Sequence, residues 1–213
     1  MKICGLTRPD QAMACVDAGA AAIGLVFYAK SPRNVSIDTA CAITRVLPQE
    51  VARVGVFVNE PYDVIMQRVT TCHLTCVQLH GRESPELVRQ LKAAGLSVIK
   101  SLFLDRNPLL KEADQFSADA YLAECGTGPL PGGNAKVWKY ADAGDLGMSY
   151  PLILAGGLSP DNVAGAIQSA CPDSVDVSSG VESRPGIKDP ALVTQFMQTV
   201  INSKHNPSLR RIF

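Results

Sequence analysis

The chain has 213 residues, and its 20 basic and 20 acidic side chains cancel to a formal charge of zero. That length buries one substantial core, and neutrality excludes a diffuse electrostatic pull toward nucleic acid or anionic lipid, so any bound anion must be held locally. Seven cysteines, an odd number without framework spacing, suit reduced thiols better than disulfides.

Met1-Lys2-Ile3-Cys4-Gly5 opens directly in a strand-like run with no hydrophobic signal region, and no apolar stretch reaches spanning length, so a cytoplasmic protein with no membrane contact is expected. Short aliphatic and β-branched runs then alternate with segments of helical period. The strand candidates are Lys2–Cys4, Ala22–Phe27, Arg53–Val58, Cys76–Leu79, Ser97–Leu102, Ala120–Glu124, Pro151–Ala155 and Ser174–Val177. Helices are expected near 8–18, 37–46, 61–71, 84–94, 107–116, 160–170 and 189–203, with Ser84-Pro85 and Ser159-Pro160 each reading as an N-cap followed by proline in the first turn. The unit after the sixth strand is irregular: Gly126 to Gly133 is a Gly/Pro loop, and the helix in 139–147 must be short or distorted. The pattern predicts an α/β fold, a (β/α)8 TIM barrel in one domain over 1–204, followed by a partly disordered tail at 205–213.

Two turns carry the strongest local signal. Leu154-Ala155-Gly156-Gly157-Leu158 and Asp176-Val177-Ser178-Ser179-Gly180 each end an apolar run in glycine, where backbone N–H groups can approach an anion closely. In (β/α)8 barrels the loops after the seventh and eighth strands build a phosphate site, and these turns occupy those places.

Residues closing the other strands face the mouth where such barrels do their chemistry. Cys4 is either a small core filler or a thiol placed to take a proton, since its ordinary pKa of roughly 8.5 is within reach of neutrality. Cys76, Gln78 and His80 share a face by two-residue alternation, which points His80 into the mouth as a substrate contact or as a loop-bonding histidine. Arg33 offers a planar fork suited to a carboxylate, or is a solvated loop arginine. Glu124, ending the sixth strand, is a candidate proton donor or a rim glutamate. Lys136 is a cation that could close over a ligand. Cys72, His73 and Cys76 could suggest zinc, but no second ligand pair follows, and structural cysteines are the simpler reading.

The segments Lys2-Ile3-Cys4-Gly5-Leu6-Thr7, Ser31-Pro32-Arg33, Val54-Gly55-Val56-Phe57-Val58-Asn59, Gln78-Leu79-His80-Gly81, Leu154-Ala155-Gly156-Gly157-Leu158 and Asp176-Val177-Ser178-Ser179-Gly180-Val181-Glu182 together resemble the phosphoribosylanthranilate isomerase family of tryptophan biosynthesis, in its order and spacing, from Lys2 to about Met197. The resemblance implies an aldose–ketose isomerase acting on N-(5-phosphoribosyl)anthranilate by an Amadori rearrangement, with neither metal nor organic cofactor, as a monomer or homodimer. It implies Cys4 as general base, Arg33 on the anthranilate carboxylate, His80, Asp176 and Lys136 as substrate contacts, and the amides around Gly156, Gly157, Ser179 and Gly180 on the phosphate. The sequence departs from the family where an aspartate acid usually ends the sixth strand: here it reads Leu122-Ala123-Glu124, so Glu124 is assigned the role, with Asp119 at the far end of the strand as second choice. A family glycine is also replaced at Ala135. Other phosphosugar barrels, which use paired aspartates or lysine and glutamate, fit Cys4 with Glu124 poorly, and a barrel that only binds a phosphorylated metabolite would not need both.

Overall fold

The computed structural model describes residues 1–128, 132, 134, 136–203 and 209–213. Eight strands, β1 (Lys2–Cys4), β2 (Ala22–Phe27), β3 (Ala52–Phe57), β4 (Cys76–Leu79), β5 (Ser97–Phe103), β6 (Ala120–Glu124), β7 (Leu152–Leu154) and β8 (Ser174–Val177), pair in chain order, all parallel, and β8 returns to β1 to close a barrel. The bounds of β1, β2, β4, β6 and β8 are those read from the sequence; β5 extends one residue further, β3 is shifted back by one residue, and β7 is one residue shorter at each end. Alternation sorts their side chains into two layers. Ala22, Val54, Cys76, Ile99, Ala120 and Ile153 fill the lumen floor, whereas the outward set, including Ile23, Val77, Val98 and Leu152, packs beneath the helices.

The helices are α1 (Pro9–Asp17), α2 (Ile37–Val46), α3 (Tyr62–Cys72), α4 (Pro85–Ala93), α5 (Gly144–Ser149), α6 (Val163–Ala170) and α7 (Pro190–Asn202). Their starts follow capping chemistry: Ser36 accepts from Thr39 N, Ser84 from Leu87 N, and Asp189 from Ala191 N and Leu192 N, with proline opening α4 and α7. Among the described residues no helix is long and apolar enough to cross a membrane.

Two helix expectations need correction. The segment read as a helix at 107–116 is a 3₁₀ turn over Leu110–Gln115, because the chain still runs extended at Leu109, where Phe103 N donates to Pro108 O at 2.8 Å, and the few residues left close by i→i+3 bonds such as Phe116 N to Ala113 O at 3.1 Å; the Tyr121 hydroxyl meets the carbonyls of Ala113 and Phe116 at its end. Helix α6 starts at Val163, not after Ser159: the Asn162 side chain accepts from Ser159 N at 2.8 Å and donates to Gly157 O at 2.8 Å, folding 159–162 into a turn that Asn162 ends. A short antiparallel hairpin, β9 (Glu182–Arg184) with β10 (Ile187–Lys188), was not anticipated; Pro185-Gly186 turns it, with Gly186 at φ +80°.

Part of the tail, 205–208, lies outside the described residues. Beyond it, Ile212 and Phe213 pack on the lumen-floor cluster, and Arg210 grips Asp173 through its guanidinium (Nη2 to Oδ2, 2.7 Å) and its own N–H (2.8 Å). Asp173 in turn accepts from Leu152 N at 2.8 Å, which ties the tail to the start of β7. A charge-assisted bond of this kind contributes about 1.5–3 kcal/mol. Removing Leu209–Phe213 is therefore expected to lower the melting temperature by several degrees while leaving kcat/KM intact at the opposite face; calorimetry and steady-state kinetics on the truncated chain check both halves.

Candidate active site

Side chains lining the lumen change character from floor to mouth. On β4 they run Cys76, Gln78, His80, and on β6 Ala120, Leu122, Glu124, so on these two strands the polar groups lie toward the C-terminal end. There one cavity is lined by Cys4, Arg33, Gln78, His80, Glu124, Gly132, Gly156, Gly157, Asp176, Ser178 and Ser179, among others. It gathers the sequence-derived candidates with two exceptions. Gly180, next to the lining residue Ser179, abuts Leu158 O, and Lys136 is exposed with its main chain against Gly157. Asp119 is at the other end of β6, paired with Lys92 at 2.8 Å.

Cys4 is buried and sits in register with Gly24, where a Cβ would come within 2.7 Å of its Sγ; glycine leaves the thiol its room. Burial pushes the Cys4 thiol up, opposed by the positive charges of Lys2 and Lys188. Lys2, one turn of the alternation below, is fully buried and holds Asp176 at 2.7 Å. Burial disfavours its charge, but Asp176 and Cys4 more than offset that and its pKa is raised. The second Asp176 oxygen, Oδ1, is buried with no partner among the described residues, a strong acceptor at the base of the cavity.

His80 and Glu124 face one another, Nε2 to Oε2 at 3.3 Å. Nδ1 is met by the Gln78 amide nitrogen at 2.9 Å and the Ser101 hydroxyl at 2.7 Å. The Gly132 backbone covers the pair so closely that a Cβ there would fall 2.5 Å from His80 Nε2 and 3.1 Å from Glu124 Oε2. The loop bearing His80 is pinned from behind. Glu83 accepts from Asn59 N and Gly81 N, both at 2.9 Å, and from Lys100 Nζ at 2.7 Å, while Lys100 also donates to Gly81 O at 2.8 Å. Both charges are buried, and removing either alone would cost about 3–5 kcal/mol.

The glycine turns after β7 and β8 lie side by side. Gly156 (φ +87°) and Gly157 (φ +66°) occupy left-handed backbone, and their N–H groups make no main-chain hydrogen bond among the described residues. Gly180 presses on Leu158 O so tightly that a Cβ would lie 1.8 Å from it. From the other side Trp138 Nε1 donates to Ala155 O and the Tyr140 hydroxyl to Gly156 O, each at 2.9 Å, fixing the first turn to the chain that returns from the Glu124 loop.

Residues 1–199 match the family model of N-(5′-phosphoribosyl)anthranilate (PRA) isomerase. The chain belongs to the PRA isomerase family. It is 48% identical over 213 residues to the N-(5′-phosphoribosyl)anthranilate isomerase of Desulfatibacillum aliphaticivorans, covering 100% of this chain and 98% of the relative. Among solved structures it is similar to the phosphoribosyl anthranilate isomerase from Thermotoga maritima, with TM-score 0.85 and 37% identity over 94% of this chain and 97% of that one. A phosphoribosyl anthranilate isomerase in complex with reduced 1-(o-carboxyphenylamino)-1-deoxyribulose 5-phosphate superposes at TM-score 0.82, 36% identical, over 94% of this chain and 97% of that one.

Of the departures noted in the sequence of this PRA isomerase family member, Glu124 is buried in the cavity wall, whereas Ala135 lies outside the described residues. The Cys72, His73, Cys76 cluster disperses: Cys72 packs on Cys41, His73 is exposed at the end of α3, and Cys76 points into the lumen. Sequence reasoning missed Lys2, Glu83, Lys100, Glu182 and Lys188. Lys2 carried a usable signal, a charge two residues before Cys4 and so on the same face of an otherwise apolar strand. Replacing Gly180 by alanine should overpack the contact between the two turns, costing about 1–3 kcal/mol and weakening inhibition by inorganic phosphate about tenfold; unchanged phosphate inhibition in the folded variant would show that the turns need not touch.

Proposed function

We propose that this chain converts N-(5-phosphoribosyl)anthranilate to 1-(2-carboxyphenylamino)-1-deoxyribulose 5-phosphate by an Amadori rearrangement, as an isomerase of tryptophan biosynthesis. The observation that carries this is one cavity in which a thiol, a carboxyl group, a carboxylate-binding arginine and a pair of glycine turns converge. Gly156, Gly157, Ser179 and Gly180 receive the phosphate, with Lys136 at the rim adding positive charge, and Arg33 receives the ring carboxylate at the other end. Held at both ends, the sugar lies between Glu124 and Cys4.

Glu124 acts first, protonating the furanose ring oxygen so that the C1–O bond opens to a Schiff base. Its neighbour His80, oriented by Gln78 and Ser101, fixes one carboxyl oxygen and leaves the other for the substrate. Cys4, as thiolate, then removes the proton from C2, and the resulting enamine tautomerises to the ketone. Asp176 Oδ1, lacking a protein partner among the described residues, is suited to accept from a sugar hydroxyl and hold C2 over the thiol. Glutamate in place of the family aspartate extends the carboxyl by one methylene, which the deep seat of Glu124 beneath Gly132 accommodates.

Steady-state turnover, followed by loss of anthranilate fluorescence, tests the assignment. Cys4→Ser and Glu124→Gln should each lose about 10²–10⁴ in turnover, and a Glu124→Gln variant close to wild type would place the acid elsewhere. Because burial raises the Cys4 pKa, the thiol is protonated at neutral pH. The free-enzyme profile of kcat/KM should therefore climb about tenfold per pH unit above neutrality until the thiol titrates; a flat profile would remove Cys4 from the role of base.

A further inference from the structure

Arg33 lines the cavity, but Glu182, which holds it, and Lys188, which holds Glu182, do not. Glu182 meets the guanidinium fork to fork, Oε1 accepting from Nε at 2.8 Å and Oε2 from Nη2 at 2.7 Å. Lys188 Nζ lies 2.7 Å from the same Oε1 and donates to Ser178 O at 3.0 Å, which links the cluster to the end of β8. Side-chain exposures are 7% for Arg33, 4% for Glu182 and 2% for Lys188. The hairpin carrying Glu182 and Lys188 is itself latched to the first barrel unit, through Thr7 Oγ1 to Gly186 O at 2.6 Å and Gln11 Oε1 accepting from Lys188 N at 3.3 Å.

An arginine needs no carboxylate to be charged, and burying three charges carries a desolvation cost. What a bidentate partner does contribute is orientation: it fixes the plane of the guanidinium and uses one edge of it, leaving the remaining N–H groups on the cavity side. We propose that Glu182 is a positioning residue that sets selectivity for a carboxylate on the aromatic ring of the substrate, by holding the open edge of Arg33 toward that carboxylate. Arg33 and, after it, Lys188 hold the Glu182 carboxyl below its ordinary range against the effect of burial. The inference rests on the assignment of Arg33 to the ring carboxylate.

Charge and orientation predict opposite outcomes for Glu182→Gln. The variant has one negative charge fewer, so if charge alone mattered an anionic ligand would bind more tightly; if orientation matters it binds more weakly. The probes are the reduced product, 1-(o-carboxyphenylamino)-1-deoxyribulose 5-phosphate in its reduced form, and its counterpart lacking the ring carboxylate, with inorganic phosphate as a reporter of intact glycine turns. Glu182→Gln should lose about 10- to 100-fold of the wild-type preference for the carboxylate-bearing compound. Its affinity for the other compound and for phosphate should stay within about twofold, and KM should rise with little change in kcat, as expected for uniform binding energy. Equal or tighter binding of the carboxylate compound, or equal losses for both compounds, overturns the proposal. Glu182→Asp keeps the charge and withdraws the fork by one methylene, so a partial loss of preference is expected from it, and an unchanged preference also overturns the proposal should Glu182→Gln not fold. Arg33→Met separates the two levels: if it abolishes the preference while Glu182→Gln does not, only the role of Glu182 fails, and if it leaves the preference intact the assignment of Arg33 fails and the proposal with it.

Discussion

The seam between β1 and β8 is short, with two register pairs, Lys2↔Asp176 and Ile3↔Val177, and the first of them doubles as a 2.7 Å ion pair inside the lumen. Closing the barrel there puts Cys4, two residues above Lys2, beside Ser178, which follows Asp176 by the same spacing. Cys4 and the second glycine turn are thus neighbours because the first strand meets the last. An apolar pair of similar volume could close the seam without the desolvation cost. The charged pair places a cation beneath the buried Cys4 thiol, which opposes but does not outweigh the effect of burial and of the Asp176 charge on that thiol, and it leaves one buried carboxylate oxygen without a partner among the described residues.

Above the seam, the mouth is built from loops that have little regular structure and are held by buried polar groups. Glu83 and Lys100 knit the ends of β3, β4 and β5 behind His80; Trp138 and Tyr140 carry the return of the Glu124 loop onto the first glycine turn; Glu182 and Lys188 brace Arg33 against the last unit. Apart from the bond between Lys188 and Glu182 within the hairpin, each of these bonds crosses between different βα units. Groups aimed at charge that develops during a reaction are most effective when they are already in place, because no reorganisation is then needed at the moment of reaction. Lone buried charges would be destabilising, so these networks are complete on the far side of the residues that face the cavity.

The alternation of apolar runs with helical segments, the glycines that end the seventh and eighth strands, and the polar residues that close the first, fourth and sixth were all legible in the sequence, because each is a local matter of period, backbone freedom or strand-end position. The eight-stranded barrel and the gathering of Cys4, Arg33, His80, Glu124 and Asp176 follow from those local facts once the strands pair in order. What tertiary structure alone decided is which charge answers which. Lys2 finds Asp176 across 174 residues and Arg33 finds Glu182 across 149, distances over which no sequence period carries information and only barrel closure does. The same holds for Pro108, whose carbonyl pairs with Phe103 N and keeps the start of an expected helix extended, and for Phe213, whose place on the barrel floor depends on a surface that exists only after eight strands have closed.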